Sequence, residues 1–267
     1  MSEEDSWDFP NQATPEGSPA YYVARFSVPE KRGDVARWLA WFAHLDNIAL
    51  KATDPGVSRL KLDWWREESE NALYDRARHP LAQALAPQVT ASWQVDQMLR
   101  ALQAVEMRIL RRQPRDRDDY VARCGDSHGS LALLLGAGER ADLEGTGERL
   151  GIYLATVEHL RHLGRDAITD HVTLPADHLA RHAVDLEDLR NGRAIAGLAN
   201  MADELLAQHR PDDIRQLRRH AELHPVLRLA AQAQRLERKL RRHGFASHQR
   251  RLELTPLGLL WSGWRMR

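Results

Sequence analysis

Gly151-Ile-Tyr-Leu-Ala-Thr-Val-Glu-His-Leu-Arg-His-Leu-Gly-Arg-Asp-Ala-Ile-Thr-Asp-His-Val-Thr-Leu-Pro175 is the stretch whose reading decides the fold. Apolar residues recur in it at three- and four-residue spacing, which predicts a helix over 143–167. Thr173-Leu174-Pro175-Ala176-Asp177 then marks a non-helical segment, 168–184, of the kind that carries functional loops. The same period extends in both directions, and β-branched alternation is almost absent. Helices are predicted at 29–50, 54–75, 80–112, 116–136, 143–167, 185–208, 211–222, 224–243 and 254–266. Asp54-Pro55 reads as an N-cap followed by proline in the first turn, and Gly136-Ala-Gly138 as a helix end. Short connections between so many helices make one all-α bundle. Residues 1–18, with Pro10, Pro15 and Gly17 among acidic and small side chains, read as a flexible tail, leaving 19–267 as a single domain.

Composition narrows the function. The chain has 267 residues, with 38 Lys+Arg balanced by 38 Asp+Glu. A nucleic-acid binder would need a basic excess, so none is expected. One cysteine, Cys124, excludes an internal disulfide and a cysteine-based zinc site. The acidic start lacks the basic and apolar regions of a secretory signal, and no apolar run approaches a membrane span. The expected location is the cytoplasm, with peripheral contact to the inner face of a membrane through the basic amphipathic segment 226–243. Most of the tryptophans, among them Trp38, Trp41, Trp64, Trp65, Trp93, Trp261 and Trp264, read as core.

Two helical segments place polar residues where an apolar stripe is due. In Leu45-Asp46-Asn47-Ile48-Ala49-Leu50, an acidic group is flanked by apolar residues and heads for the interior. In Glu158-His159-Leu160-Arg161-His162-Leu163-Gly164-Arg165-Asp166, Glu158, His162 and Asp166 fall at i, i+4 and i+8 on one helical face, where they could ligate a divalent ion. The competing reading is a solvated face with local ion pairs. Cys124 and His128, four apart, could form a thiol–imidazole pair, but a small buried residue explains Cys124 more simply.

These residues resemble the squalene/phytoene synthase family. Tyr21-Tyr22 through Arg32 is similar to that family's opening segment, Asp54 through Glu68 to its signature helix, and Gly151–Pro175 to its second acidic-motif helix. The resemblance implies an isoprenoid-synthase bundle around a central cavity. It also implies two acidic motifs that hold magnesium against the diphosphate of a prenyl substrate. Each motif is half missing here. Asp46 stands in the first, but Asn47 replaces its neighbour and Leu50 the second ligand. In the second motif His162 replaces the first ligand and Asp166 keeps the second, with Glu158 one turn earlier. Ala43 and Ala155 stand where an Arg and a Gln are due, and Gly17 and Pro19 fall at diphosphate-contacting positions. Arg161 and Tyr22 are the substrate-binding residues that the resemblance carries over.

The expectation is therefore a family member with degraded motifs and no cofactor, which binds an apolar ligand or serves as a scaffold. It is similar in character to the family's respiratory-complex assembly factors, so a respiratory complex is the protein partner implied. The alternative is an active prenyltransferase that condenses two farnesyl or geranylgeranyl diphosphates. Its Mg2+ or Mn2+ would then be held by Asp46, Glu158, His162 and Asp166.

Overall fold

The computed structural model describes residues 7–51, 54–211 and 213–266, and among these it is all-α, without a strand. The chain opens with α1 (Pro19–Arg25), α2 (Arg32–Leu50), α3 (Pro55–Leu73), α4 (Pro80–Leu85) and α5 (Ser92–Ile109). Next come α6 (Arg117–Cys124), α7 (Ser130–Leu134), α8 (Ala141–Arg161), α9 (Leu163–Ile168) and α10 (Ala176–Arg181). It finishes with α11 (Leu186–Arg190), α12 (Leu198–Ala207), α13 (His224–Arg242) and α14 (Pro256–Trp264). No helix among the described residues is long and apolar enough to cross a membrane.

Four helices begin with the same device, a capping side chain followed by proline: Ser18-Pro19, Asp54-Pro55, His79-Pro80 and Thr255-Pro256. The cap satisfies an N–H that has no partner inside the helix, and proline brings a preset φ while removing another such donor. Asp54 Oδ1 accepts from Gly56 N at 2.6 Å, the geometry that the Asp54-Pro55 reading predicts.

Four predicted helices are interrupted, among them 116–136, where a π-helical turn at Gly125–Gly129 separates α6 from α7. The 80–112 helix breaks at 86–91, where Pro87 supplies no donor and the Gln94 side chain takes the N–H groups of Thr90 and Ala91 at 2.8 and 3.0 Å. The 143–167 helix breaks at His162, which has φ −102° and ψ 11°. The 185–208 helix is divided between α11 and α12, with Gly192 at φ +65° in the gap. The 168–184 loop holds α10, and 211–222 consists of short 3-10 turns.

The tail also differs from expectation. Residues 1–6 lie outside the described residues, but 7–18 pack on the body, with Trp7 and Phe9 against the core and Thr14 fully buried. Asn11 Oδ1 accepts from Ala13 N and Thr14 N, and Asn11 Nδ2 donates to Ala36 O at 3.3 Å. These bonds satisfy polar groups that composition alone left unpaired.

Two hydrophobic clusters fill the interior, and α8 and α13 run through both. Leu150 of α8 and Leu227 of α13 belong to one cluster, while Leu160 and Leu240 belong to the other. The apolar stripe of the basic segment is thus spent on packing. Arg228 is buried within reach of Ser27 Oγ, and Arg241 pairs with Glu237 and Asp203. This burial leaves the apolar stripe of 226–243 unavailable to a membrane, while Arg238, Arg241 and Arg242 of the same helix stay exposed. Three exposed apolar side chains gather on α14, where Leu257, Trp261 and Trp264 are at least half exposed. Trp64 is also partly exposed, so the tryptophan-core reading holds for Trp38, Trp41 and Trp65 but not for Trp64, Trp261 or Trp264.

Glu68 in the signature helix has a structural duty. Its buried carboxylate accepts the N–H groups of Arg78 and His79, both at 2.7 Å, and so ties the 74–79 turn to α3. Each orphaned N–H costs about 1–3 kcal/mol. Glu68→Ala is therefore expected to lower the unfolding free energy by about 3 kcal/mol, read in urea as a lower midpoint at unchanged slope. A loss below about 1 kcal/mol would mean that water takes over both donors.

Candidate functional site

A cavity of about 410 Å³ lies between α2, α8, α13 and α14, closed at one side by Gly17 and Pro19 ahead of and at the start of α1. Its walls are mainly apolar, with Leu39, Leu131, Leu154, Val157, Leu236 and Leu259 facing in. Polar groups gather at one end: Asp46, His128, Glu158, Arg161 and Glu253. This volume falls within the range of small-ligand sites, about 300–1,000 Å³.

The polar end is held by ion pairs. Arg161 donates from Nη1 to Glu158 at 3.3 Å and from Nη2 to Glu253 at 3.2 Å. His162 Nε2 lies 2.8 Å from Glu158 Oε1. Burial by itself would raise the Glu158 carboxyl, but the His162 hydrogen bond and the charge of Arg161 outweigh it and hold the pKa at about 2. Arg108 of α5 forms a short ion pair with Asp46 across the bundle.

Asp46, Phe42 and His128 also border a smaller recess that runs deeper between α5, α6 and α8. Tyr120 Oη sits 3.2 Å from His159 Nδ1, and His128 packs edge-on against Phe42 at 4.8 Å between ring centroids. Desolvation lowers His128 and takes His159 well below the ordinary imidazole range, so both rings are neutral at pH 7. Cys124 lines the recess too, but burial pushes its thiol up to about 12, which leaves it without nucleophilic character.

The expected site residues divide between different surroundings. Asp46, Glu158 and Arg161 face the main cavity. Asn47 and Leu50 are exposed and neither lines the cavity, so the first motif contributes Asp46 alone. His162 is engaged by Glu158. Asp166 is buried around a separate small void with Thr173 and Leu174, where Arg165 Nε donates to it at 3.0 Å. Burial raises the Asp166 carboxyl despite Arg165. The i, i+4, i+8 face presupposed one continuous helix, and the break at His162 reorients everything after it. Tyr22 packs among Tyr21, Phe26 and Gly263 rather than lining the cavity. Gly17 and Pro19 do line it.

Arg108 and His159 carry no signal in the sequence, and His128 stands out there only as a neighbour of Cys124. Arg108 and Asp46 are 62 positions apart, so no local spacing links them. His159 follows Glu158 directly and thus falls outside the helical face that Glu158 and His162 share.

Comparison with known proteins bears on this arrangement. A family model described as squalene/phytoene synthase matches residues 14–258. The fold is similar to the crystal structure of a dehydrosqualene synthase in complex with ligand, at TM-score 0.73 and 16% identity over 92% of this chain and 90% of that one. It is also similar to squalene synthase HpnC from Alicyclobacillus acidocaldarius, at TM-score 0.67 and 17% identity over 84% of this chain and 88% of that one. YisP from Bacillus subtilis superposes at TM-score 0.58 and 12% identity over 92% and 89%. No match is found among curated proteins. With the family model spanning nearly all of the bundle that encloses the cavity, the chain belongs to the squalene/phytoene synthase family.

Proposed function

We propose that this family member binds an apolar, isoprenoid-like molecule in its central cavity without ionising a diphosphate. The observation that carries this reading is that all three carboxylates facing the cavity are already paired with guanidinium groups, Asp46 with Arg108, Glu158 with Arg161, and Glu253 with Arg161 and Arg251. Magnesium needs several free oxygen ligands in near-octahedral array, and this donor set fits it poorly. Asp166, the second-motif carboxylate, is turned into another void and held by Arg165. Without neutralisation of the departing diphosphate, ionisation loses several charge contacts of the kind worth about 3–4 kcal/mol each. The apolar walls remain, and they favour a hydrocarbon chain through burial alone.

In the scaffold form of this reading, the loaded protein presents α14 to a protein partner, such as a respiratory complex, or to an anionic membrane. What supports that surface is its composition: Trp261 and Arg265 share a groove with Arg235 and Arg238 of α13.

The test is to incubate the purified chain with farnesyl and geranylgeranyl diphosphate in Mg2+ or Mn2+, following released diphosphate, hydrocarbon and protein-bound prenyl compound together. The expected result is retention of a prenyl compound with no diphosphate release. Ala233→Trp, which fills the cavity wall, should weaken retention at least about tenfold, equivalent to about 1.4 kcal/mol, in a protein that still melts cooperatively. Metal-dependent turnover would overturn the reading in favour of the active prenyltransferase.

A further inference from the structure

Away from the cavity, α10 and α12 bring together two histidines and a glutamate that no step above uses. His178 and His182 are four residues apart at the end of α10, and Glu204 faces them from α12. Their ligating atoms all lie within 4.8 Å of one another, and this is the one such group of three among the described residues. Glu204 Oε2 is 2.8 Å from His182 Nε2, and Glu204 Oε1 is 3.4 Å from His178 Nε2.

His178 has no exposed surface, yet neither of its ring nitrogens has a hydrogen-bond partner among the described residues. A buried imidazole with both nitrogens unsatisfied is costly, and an ion at Nε2 would relieve half of that cost. On the opposite edge, Asp177 Oδ1 lies 3.8 Å from His178 Nδ1 and is itself buried without a hydrogen bond. A carboxylate behind the distal nitrogen of a ligating histidine is the arrangement that fixes the tautomer and raises ligand basicity.

We infer that His178 Nε2, His182 Nε2 and Glu204 form a zinc-class divalent metal site that ties α10 to α12, with Asp177 orienting His178. Zinc takes imidazole nitrogen and carboxylate oxygen at about 2.0–2.2 Å, which sets neighbouring tetrahedral ligand atoms about 3.3–3.5 Å apart. The present separations need only small side-chain adjustments to reach that. Two histidines at i, i+4 on one helical face give the same spacing that zinc helices use. Arg181 also bonds Glu204 and Asp177, both at 3.0 Å, so an arriving cation meets two carboxylates whose charge one guanidinium only partly offsets. Water completes the fourth position. No residue of this cluster lines the central cavity, so the site stands or falls independently of the ligand reading.

The test uses the tag-free full chain, stripped with chelator and titrated with Co2+ and then Zn2+. One equivalent of Co2+ should develop visible bands of tetrahedral intensity that Zn2+ abolishes, and saturating Zn2+ should raise the melting temperature by about 5 °C. His182→Gln and Glu204→Gln, each able to keep one hydrogen bond at a partly exposed position, should each weaken metal binding at least about tenfold while changing the metal-free melting temperature by no more than about 2 °C. Absence of the cobalt bands would overturn the assignment. So would bands that survive in both variants, which would place the metal on other histidines.

Discussion

Acidification from pH 7 to pH 5.5 is expected to destabilise the protein steeply, before the carboxylates begin to titrate. Burial lowers the pKa of six histidines below the ordinary value of 6.5: His44, His79, His128, His159, His178 and His209. A folded pKa below the unfolded one means that the unfolded chain binds more protons at any pH under 6.5. Stability is therefore full above pH 6.5 and is lost as pH falls toward the folded values. Each ring that stays neutral in the fold while the unfolded chain takes up its proton weakens the fold by at most about 1.36 kcal/mol per pH unit, and His159, whose pKa is lowered furthest, leads the loss. Glu158, held at about 2 against an ordinary 4.5, adds a second loss only between those two values. Urea midpoints measured every half unit from pH 8 to pH 4 should trace the first descent. His159→Gln should flatten it, and a profile level between pH 7 and pH 5.5 would show that the rings protonate without cost.

Gly151→Ala is expected to cost about 3 kcal/mol, and Gly151→Val to prevent the folded protein from accumulating. A Cβ on Gly151 would lie 2.3 Å from the carbonyl oxygen of His128 and 2.6 Å from Cα of Gly129. Both obstacles are backbone, so no rotamer change relieves the clash, and α8 would have to separate from the segment that carries His128. The same helix supplies the control. Gly145 is exposed and nothing lies within 4 Å of its Cβ position, so Gly145→Ala should be neutral or stabilise by up to about 1 kcal/mol. Equal behaviour of the two variants in thermal melts would remove the close-approach explanation.

The sequence exposed the helical class, the Asp54-Pro55 start and the two motif segments because each rests on neighbours in the chain. Period, cap and proline are local signals, and local signals survive without coordinates. The cavity end was only half legible. Asp46, Glu158 and Arg161 were visible as polar residues in amphipathic helices, but their neutralisation depends on Arg108, which approaches from another helix. The helix break at His162 was hidden for a similar reason. A Cβ on Gly164 would stand 2.7 Å from Cα of His248, a contact more than eighty positions away that no helical period registers. The buried tail illustrates the limit of composition: Asn11 and Thr14 look loop-like, yet they satisfy each other while Trp7 and Phe9 supply the anchoring surface.

Between α6 and α7 the chain makes a π-helical turn, Gly125–Gly129, and it is this turn that abuts Gly151. Such a turn holds one more residue than an α-helical one and amounts to a retained single-residue insertion. Deleting any one residue from 125–129 would let α6, the turn and α7 merge into an unbroken helix with better local hydrogen bonds. Because the π turn fits its extra residue into about the rotation of one α-helical turn, the side chains of α7 would keep their facing. Leu131 would stay on the cavity wall and Ser130 within reach of Gln97, its partner at 2.9 Å. The irregularity is thus confined to one turn, where His128 and Gly129 lie against Gly151, and the cavity wall beyond it is indifferent to the count.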